Sequence, residues 1–308
     1  MIDEHRPARL PGRGLILWPG GKGNMVGRLT SLVPYDHLYL EPFAGAMSLL
    51  MNRRPSPVEA VNDLSREIVT LARVLQDDAL YADLERRLRY TLYHRDEFRR
   101  AIDIREHWEE ATDVDRAWAV FVSYRQGFSG IARTEGHWGR AFISNRGRAA
   151  TTSKWQSALD LLPDWHARLA RVQIDQIDAL EFIRYWDRAD AVIYCDPPYP
   201  MPTRIDELYE HEMTLDDHEQ LVETLLSCEG LVVLSCYDHS VYQPLCDAGW
   251  ERFAFETALH MAGKTRQNQD RGEGSALRDH PRTEVVYRSR SPAGGGRQRA
   301  FDFKPVGV

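Results

Sequence analysis

The run Val192-Ile193-Tyr194-Cys195 is followed at once by Asp196-Pro197-Pro198-Tyr199. Four buried-type residues predict a core strand, and the prolines end it, because proline has no N–H with which to continue a ladder. What is left at the strand tip is a carboxylate, two ring-stiffened backbone carbonyls and an aromatic ring. That set suits a flat base held through its exocyclic amine: the oxygens accept the amine hydrogens and the ring stacks. A Pro-Pro pair alone would mean only a turn. The acid and the tyrosine flanking it after an apolar strand make Asp196, Pro197, Pro198 and Tyr199 candidate catalytic residues.

The elements that must position such a tip follow from the apolar periodicity. His37 to Leu40 predicts a short strand running into Glu41-Pro42-Phe43-Ala44-Gly45-Ala46, then a helical stretch from Met47 to Asn52 and a second strand from Val58 to Val61 ending at Asn62-Asp63. Ser65 is placed as the N-cap of a helix with apolar positions at Ile68, Leu71, Ala72 and Leu75. Strand, glycine turn, helix, strand is a βαβ unit, hence a mostly parallel sheet and an α/β fold. From about 76 to 171 the alternation lapses into charged helical stretches and a Gly/Arg/Trp-containing loop, which predicts an inserted, mainly helical module. The pattern resumes with strands at Val172–Ile174, Val192 and Leu231–Cys236, a helix from Leu215 to Leu226, and a last strand pair at Phe253–Thr257 and Thr283–Arg288 with one antiparallel strand. The expected division is therefore 1–75 with 172–290 as one domain, 76–171 as the insert and 291–308 as a flexible tail. The polar loop 263–280 is expected to be mobile without a ligand.

Composition narrows the function classes. Of 308 residues, 43% are hydrophobic and 28% charged, the balance of a soluble globular chain with a sizeable core. No membrane-length apolar run and no signal-peptide pattern is present, so a cytoplasmic location and no membrane partner are expected. The four cysteines form no C-x-x-C pair and no compact Cys/His cluster, so no metal site is expected. The formal net charge of −7 looks unsuited to nucleic acid, but it is unevenly spread. From Tyr124 to Arg171 eight Lys/Arg stand against three Asp/Glu, and from Lys264 to the C-terminus ten against five. Two basic segments on an acidic body are compatible with a phosphate-contacting face, or with solvated arginines alone.

Ligands of open α/β sheets bind outside the carboxyl ends of the strands, where Phe43-Ala44-Gly45 stands after the first strand. Glycine there lets the backbone approach a ligand closely, and Asp63, 18 positions on, is placed to reach ribose hydroxyls. The G-x-G-x-x-G pattern is missing, which counts against NAD or FAD; a nucleoside cofactor without phosphate fits better.

In these features the chain resembles the Dam-like (D12 class) DNA adenine-N6 methyltransferases that depend on S-adenosylmethionine. Trp18-Pro19-Gly20-Gly21-Lys22 is similar to the family's W-x-G-G-K, Glu41-Pro42-Phe43-Ala44-Gly45 to its E-P-F-x-G turn, Asn62-Asp63 to its N-D strand end, and Asp196-Pro197-Pro198-Tyr199 to its catalytic tetrad. Tyr209-Glu210-His211-Glu212-Met213, Leu234-Ser235-Cys236-Tyr237 and Arg282-Thr283-Glu284-Val285 resemble segments of phage-type members. The resemblance implies a Rossmann-like methyltransferase sheet with an inserted target-recognition domain, and S-adenosylmethionine as cofactor. It implies that Trp18, Gly21, Lys22, Phe43, Gly45, Asp63, Asp178 and Asp196 bind that cofactor. Lys22 would pair with its carboxylate and Trp18 would lie near its sulfonium. Asp175 competes with Asp178, and Asp178 serves equally as a helix cap for Ala179 to Tyr185. One departure is Ala46-Met47, where many members have a second glycine.

The resemblance also implies a mechanism: the Asp196 carboxylate and the Pro197 carbonyl hold the amine hydrogens of a flipped adenine, with Tyr199 stacked on the ring. Such a site requires Tyr199 exposed, and Trp18 and Lys22 close to the strand tip. Tyr124 to Arg133 is similar to the family's N-R-x-x-x-N-G-x-x-R region, with Tyr124 and Ser129 at the two Asn positions, so Arg125 and Arg133 are the candidate contacts to double-stranded DNA. Each could equally be an exposed salt-bridge arginine. Two alternatives stay open: a cytosine-N4 methyltransferase, whose tetrad usually begins with serine, and a non-catalytic nucleic-acid-binding protein on the same scaffold. A restriction endonuclease partner is compatible with the resemblance.

Overall fold

The computed structural model describes residues 14–18, 21–128, 135–145, 147–200, 212–257 and 282–290. Arg133, the loop 263–280 and the tail 291–308 lie outside the described residues, as do Pro19, Gly20 and 209–211.

A short turn at Lys22–Asn24 leads into α1 (Val26–Leu32), β1 (Leu38–Glu41), α2 (Ser48–Asn52), β2 (Val58–Asn62) and α3 (Arg66–Gln76). Then come α4 (Asp78–Tyr90), α5 (Arg95–Glu106), α6 (Asp113–Gln126), the two-residue strands β3 (Ser144–Asn145) and β4 (Arg148–Ala149), α7 (Ala150–Leu159) and α8 (Leu162–Leu169). The chain continues through β5 (Gln173–Asp175), α9 (Ala179–Trp186), β6 (Ala191–Cys195), α10 (Leu215–Leu226), β7 (Leu231–Tyr237), α11 (Gln243–Asp247), β8 (Glu251–Thr257) and β9 (Arg282–Arg288).

The main sheet has seven strands in the order β5-β2-β1-β6-β7-β9-β8. β9 alone runs against its neighbours, antiparallel to both β7 and β8, while the other pairings are parallel. The order reverses between β1 and β6, which are hydrogen-bonded side by side. This switch point opens a crevice at the carboxyl ends of the strands. It also explains how the Glu41 turn and the Asp196 tip, far apart in sequence, come to lie next to each other.

Strand alternation divides the core into two layers. Tyr39, Val61, Val192, Tyr194 and Val286 face a cluster shared with α1 to α8, whereas Leu40, Ala60, Ile193, Cys195 and Val285 face α9, α10 and α11. The predicted insert therefore has no core of its own. Trp118, Trp155 and Trp165 pack in the same cluster as Leu71 and Val61, and Arg168 of α8 forms a buried ion pair with Glu59 of β2.

Local signals account for several boundaries. Thr214 and Asp217 close a capping box at the start of α10, and Thr112 and Asp115 do the same for α6. Ser65 does stand before α3, but its side chain makes no capping bond; its N–H instead donates to Asp63 Oδ1 at 2.9 Å.

Candidate active site

The turn after β1 is built around Gly45, whose φ of +45° favours glycine. Leu15 N donates to Ala46 O at 2.9 Å, laying residues 14–18 over this turn. A Cβ on Gly45 would stand 3.2 Å from Trp18 Cδ1, tight enough that the indole would have to give by a few tenths of an ångström. Met47 takes the left-handed conformation, φ 55°, that a glycine adopts at lower cost. The turn thus keeps its shape without the second glycine that many members of the resembling family carry.

Asp63, at the end of β2, accepts from Gly45 N at 2.7 Å through Oδ2 and from Ser65 N through Oδ1. Asn62 beside it is a brace: its amide donates to Pro42 O at 3.1 Å and Ile177 O at 3.0 Å, and accepts from Ile177 N. Turn, strand end and the segment before α9 are thereby fixed together.

They enclose a cavity of about 580 Å³ at the switch point. Trp18, Gly21, Lys22, Phe43, Gly45, Asp63, Asp178, Asp196 and Pro198 line it, which brings every candidate cofactor residue to one place. Asp178 also caps α9, its Oδ1 accepting from Leu180 N and Glu181 N, so both of its readings describe the same side chain. Asp175 does not line the cavity; its Oδ2 accepts from Trp186 Nε1. Among the described residues of the wall, Glu41, Asp63, Glu67, Asp178, Asp196, Glu212 and Asp217 outnumber Lys22, Arg105 and Arg184, so the cavity favours a ligand with positive charge. Burial pushes the Glu41 carboxyl up to about 7, against the opposing effect of hydrogen bonds from Tyr39 and the Leu50 backbone.

At the β6 tip, Lys22 Nζ lies 2.8 Å from Asp196 Oδ1 and 3.2 Å from Glu284 Oε1, and 4.5 Å from the centre of the Tyr199 ring. The Tyr199 hydroxyl reaches the same Asp196 Oδ1 at 3.3 Å, and Oδ2 takes no protein donor among the described residues. Burial raises the Asp196 carboxyl above its ordinary value; Lys22 pulls it back down and Glu284 pushes it up.

Three expectations are corrected here. Tyr199 does not offer an open ring face: it is 8% exposed, its hydroxyl is bound to Glu284 and Ser235, and its ring meets Tyr237 edge-on at 4.3 Å. The Lys22 ammonium is not held out for a ligand carboxylate but sits between Asp196 and Glu284, because two nearby carboxylates, that of Glu284 buried, attract it more strongly than an open cavity does. Arg125 is not a surface DNA contact. It is 8% exposed, and its guanidinium donates to Gly14 O at 2.8 Å and Leu15 O at 2.7 Å while lying over Trp165, pinning the segment that carries Trp18.

Sequence reasoning missed a second group on the wall. Arg105 of α5 makes a bidentate pair with Glu67 of α3 (2.6 and 3.0 Å), Tyr124 donates to Glu67 Oε2 at 2.9 Å, and the Tyr124 ring lies 5.4 Å from that of Trp18. Arg105 sits in a charged helix with nothing local to mark it. Glu284 and Ser235 did lie in segments singled out by resemblance, which was the available signal.

A mostly parallel sheet with its cavity at the switch point and an acid–proline tip beside it defines an α/β enzyme that binds at its strand ends. Residues 18–239 match the D12 class N6 adenine-specific DNA methyltransferases, and the chain belongs to that family. It is similar to the proteins named DNA adenine methylase of two Vibrio cholerae O1 strains, O395 and N16961. Each is 23% identical over 224 residues, 68% of this chain and 75% of the relative.

Proposed function

We propose that this DNA adenine methyltransferase uses S-adenosylmethionine, bound in the switch-point cavity, to methylate N6 of an adenine turned out of duplex DNA. The observation that carries the reading is the state of Asp196: one oxygen is held by Lys22 and Tyr199, and the other takes no protein donor among the described residues. A carboxylate anchored in this way is preorganised to accept a hydrogen from the amine of a base, and the Pro197 carbonyl is the second acceptor. Holding both hydrogens turns the nitrogen lone pair outward and stabilises the charge that grows on it. Tyr199 serves through its hydroxyl, which orients Asp196, rather than by stacking.

The residues present fit the cofactor. The wall is acid-rich, Trp18 packs closely over the Gly45 turn, and Asp63 and Asp178 stand beyond the strand ends. When bound, the cofactor supplies an electrophilic methyl group. Lys22 meanwhile offsets the charge of Asp196 and Glu284. A stacked adenine cannot reach such a tip, so the base must be extruded, at a cost of a few kcal/mol. The insert, with exposed Arg140, Arg148 and Lys154, is the module we assign to the duplex.

The test is incubation with methyl-labelled S-adenosylmethionine and unmethylated duplex DNA, alongside calorimetric titration of the cofactor alone. Saturable binding and label in the DNA are expected. Absence of binding, or label confined to single-stranded or RNA substrates, would contradict the proposal.

A further inference from the structure

The last strand supplies the residue that joins the two halves of the tip. β9 lies between β7 and β8, with Glu284 in register with Tyr237 on one side and Phe255 on the other. Glu284 is 5% exposed. A single oxygen, Oε1, accepts from Ser235 Oγ at 2.8 Å and from the Tyr199 hydroxyl, and lies 3.2 Å from Lys22 Nζ. One ammonium is thus shared by two carboxylates, and one hydroxyl by the same two. A cation given wholly to Asp196 would draw off the charge that amine hydrogens need. Sharing it with a second carboxylate leaves Asp196 the stronger acceptor.

We propose that Glu284 is a positioning residue for methyl transfer: by sharing Lys22 and holding the Tyr199 hydroxyl, it fixes Asp196 Oδ1 and keeps Oδ2 free for the target amine. The inference rests on the reading of Asp196 as amine acceptor given above. Among the described residues, the titratable groups around Asp196 are Lys22 from the N-terminal turn, Glu284 from β9, Tyr199 from its own segment, Tyr194 and Cys195 from β6, Cys236 from β7 and Tyr242 from the turn before α11. Of the two carboxylates, Glu284 pushes the Asp196 carboxyl up, so its charge delays ionisation of Asp196 as the pH rises.

Glu284→Gln keeps the size and removes the charge. Single-turnover transfer should slow about tenfold or more, because Lys22 then competes for Asp196 undivided. The acid limb of the pH–rate profile should move to lower pH, and the Kd for S-adenosylmethionine should stay within about twofold. Glu284→Asp retains the charge, so its acid limb should coincide with that of the wild type while its plateau rate falls. A Glu284→Gln protein with the wild-type plateau or an unmoved acid limb overturns the proposal. If that variant does not fold, a Glu284→Asp protein with lowered Tm and unchanged rate does the same. A wild type that transfers no methyl group overturns the amine-acceptor reading, whereas an active wild type whose acid limb is indifferent to Glu284→Gln removes only the role of Glu284.

Discussion

At the scale of single residues, the chemistry turns on which atom of each side chain is committed. Asp196 commits Oδ1 and, among the described residues, leaves Oδ2 without a donor; Tyr199 commits its hydroxyl and buries its ring. The two substitutions at position 199 therefore separate two roles. If the hydroxyl orients Asp196, Tyr199→Phe slows transfer by roughly tenfold, the worth of one charge-assisted hydrogen bond. If the ring stacks on the base, Tyr199→Phe matches the wild type and only Tyr199→Ala is impaired. Single-turnover rates at saturating cofactor decide between them. The tetrad was legible in the sequence because proline and acid side chains act locally. The retracted ring was not, because its partner Glu284 lies 85 positions away on a strand whose register no local pattern reveals.

Among the elements, those with their own punctuation were the easiest to read. α10 begins and ends where Thr214, Asp217 and the apolar period place it, and β6 is stopped by Pro197. Arginine function was the hardest to read. Arg125 and an exposed arginine are alike in sequence, yet the fold turns one guanidinium onto the carbonyls of Gly14 and Leu15 and leaves Arg140, ahead of β3, and Arg148, in β4, at the surface. Phe142 and Ile143, 92% and 73% exposed, stand between these two arginines in the chain. A phosphate-contacting role for this segment predicts that Arg140→Ala with Arg148→Ala lowers the slope of log affinity against log salt by about two, close to one per lost phosphate contact. Binding isotherms at several salt concentrations would show it, and an unchanged slope would move the DNA face elsewhere.

Across the whole molecule, the segment 76–171 and the main sheet are one packed body. The insert shares its core with the β1–β2 face, is tied to β2 through Arg168 and Glu59, and sends Arg105 and Tyr124 into the cavity wall. The net charge of −7 is unevenly placed: acidic side chains gather at the cavity, while Arg140, Arg148 and Lys154 lie exposed in the basic stretch from Tyr124 to Arg171. The proposed function rests on Asp196 as the acceptor of an amine hydrogen. Nucleoside analysis of duplex DNA after single-turnover reaction with the wild type and with Asp196→Asn measures this most directly. We predict N6-methyladenine from the wild type and transfer slowed by on the order of 10²–10³ in the variant, with cofactor affinity largely kept. N4-methylcytosine as the main product, or an Asp196→Asn protein as fast as the wild type, would contradict the account.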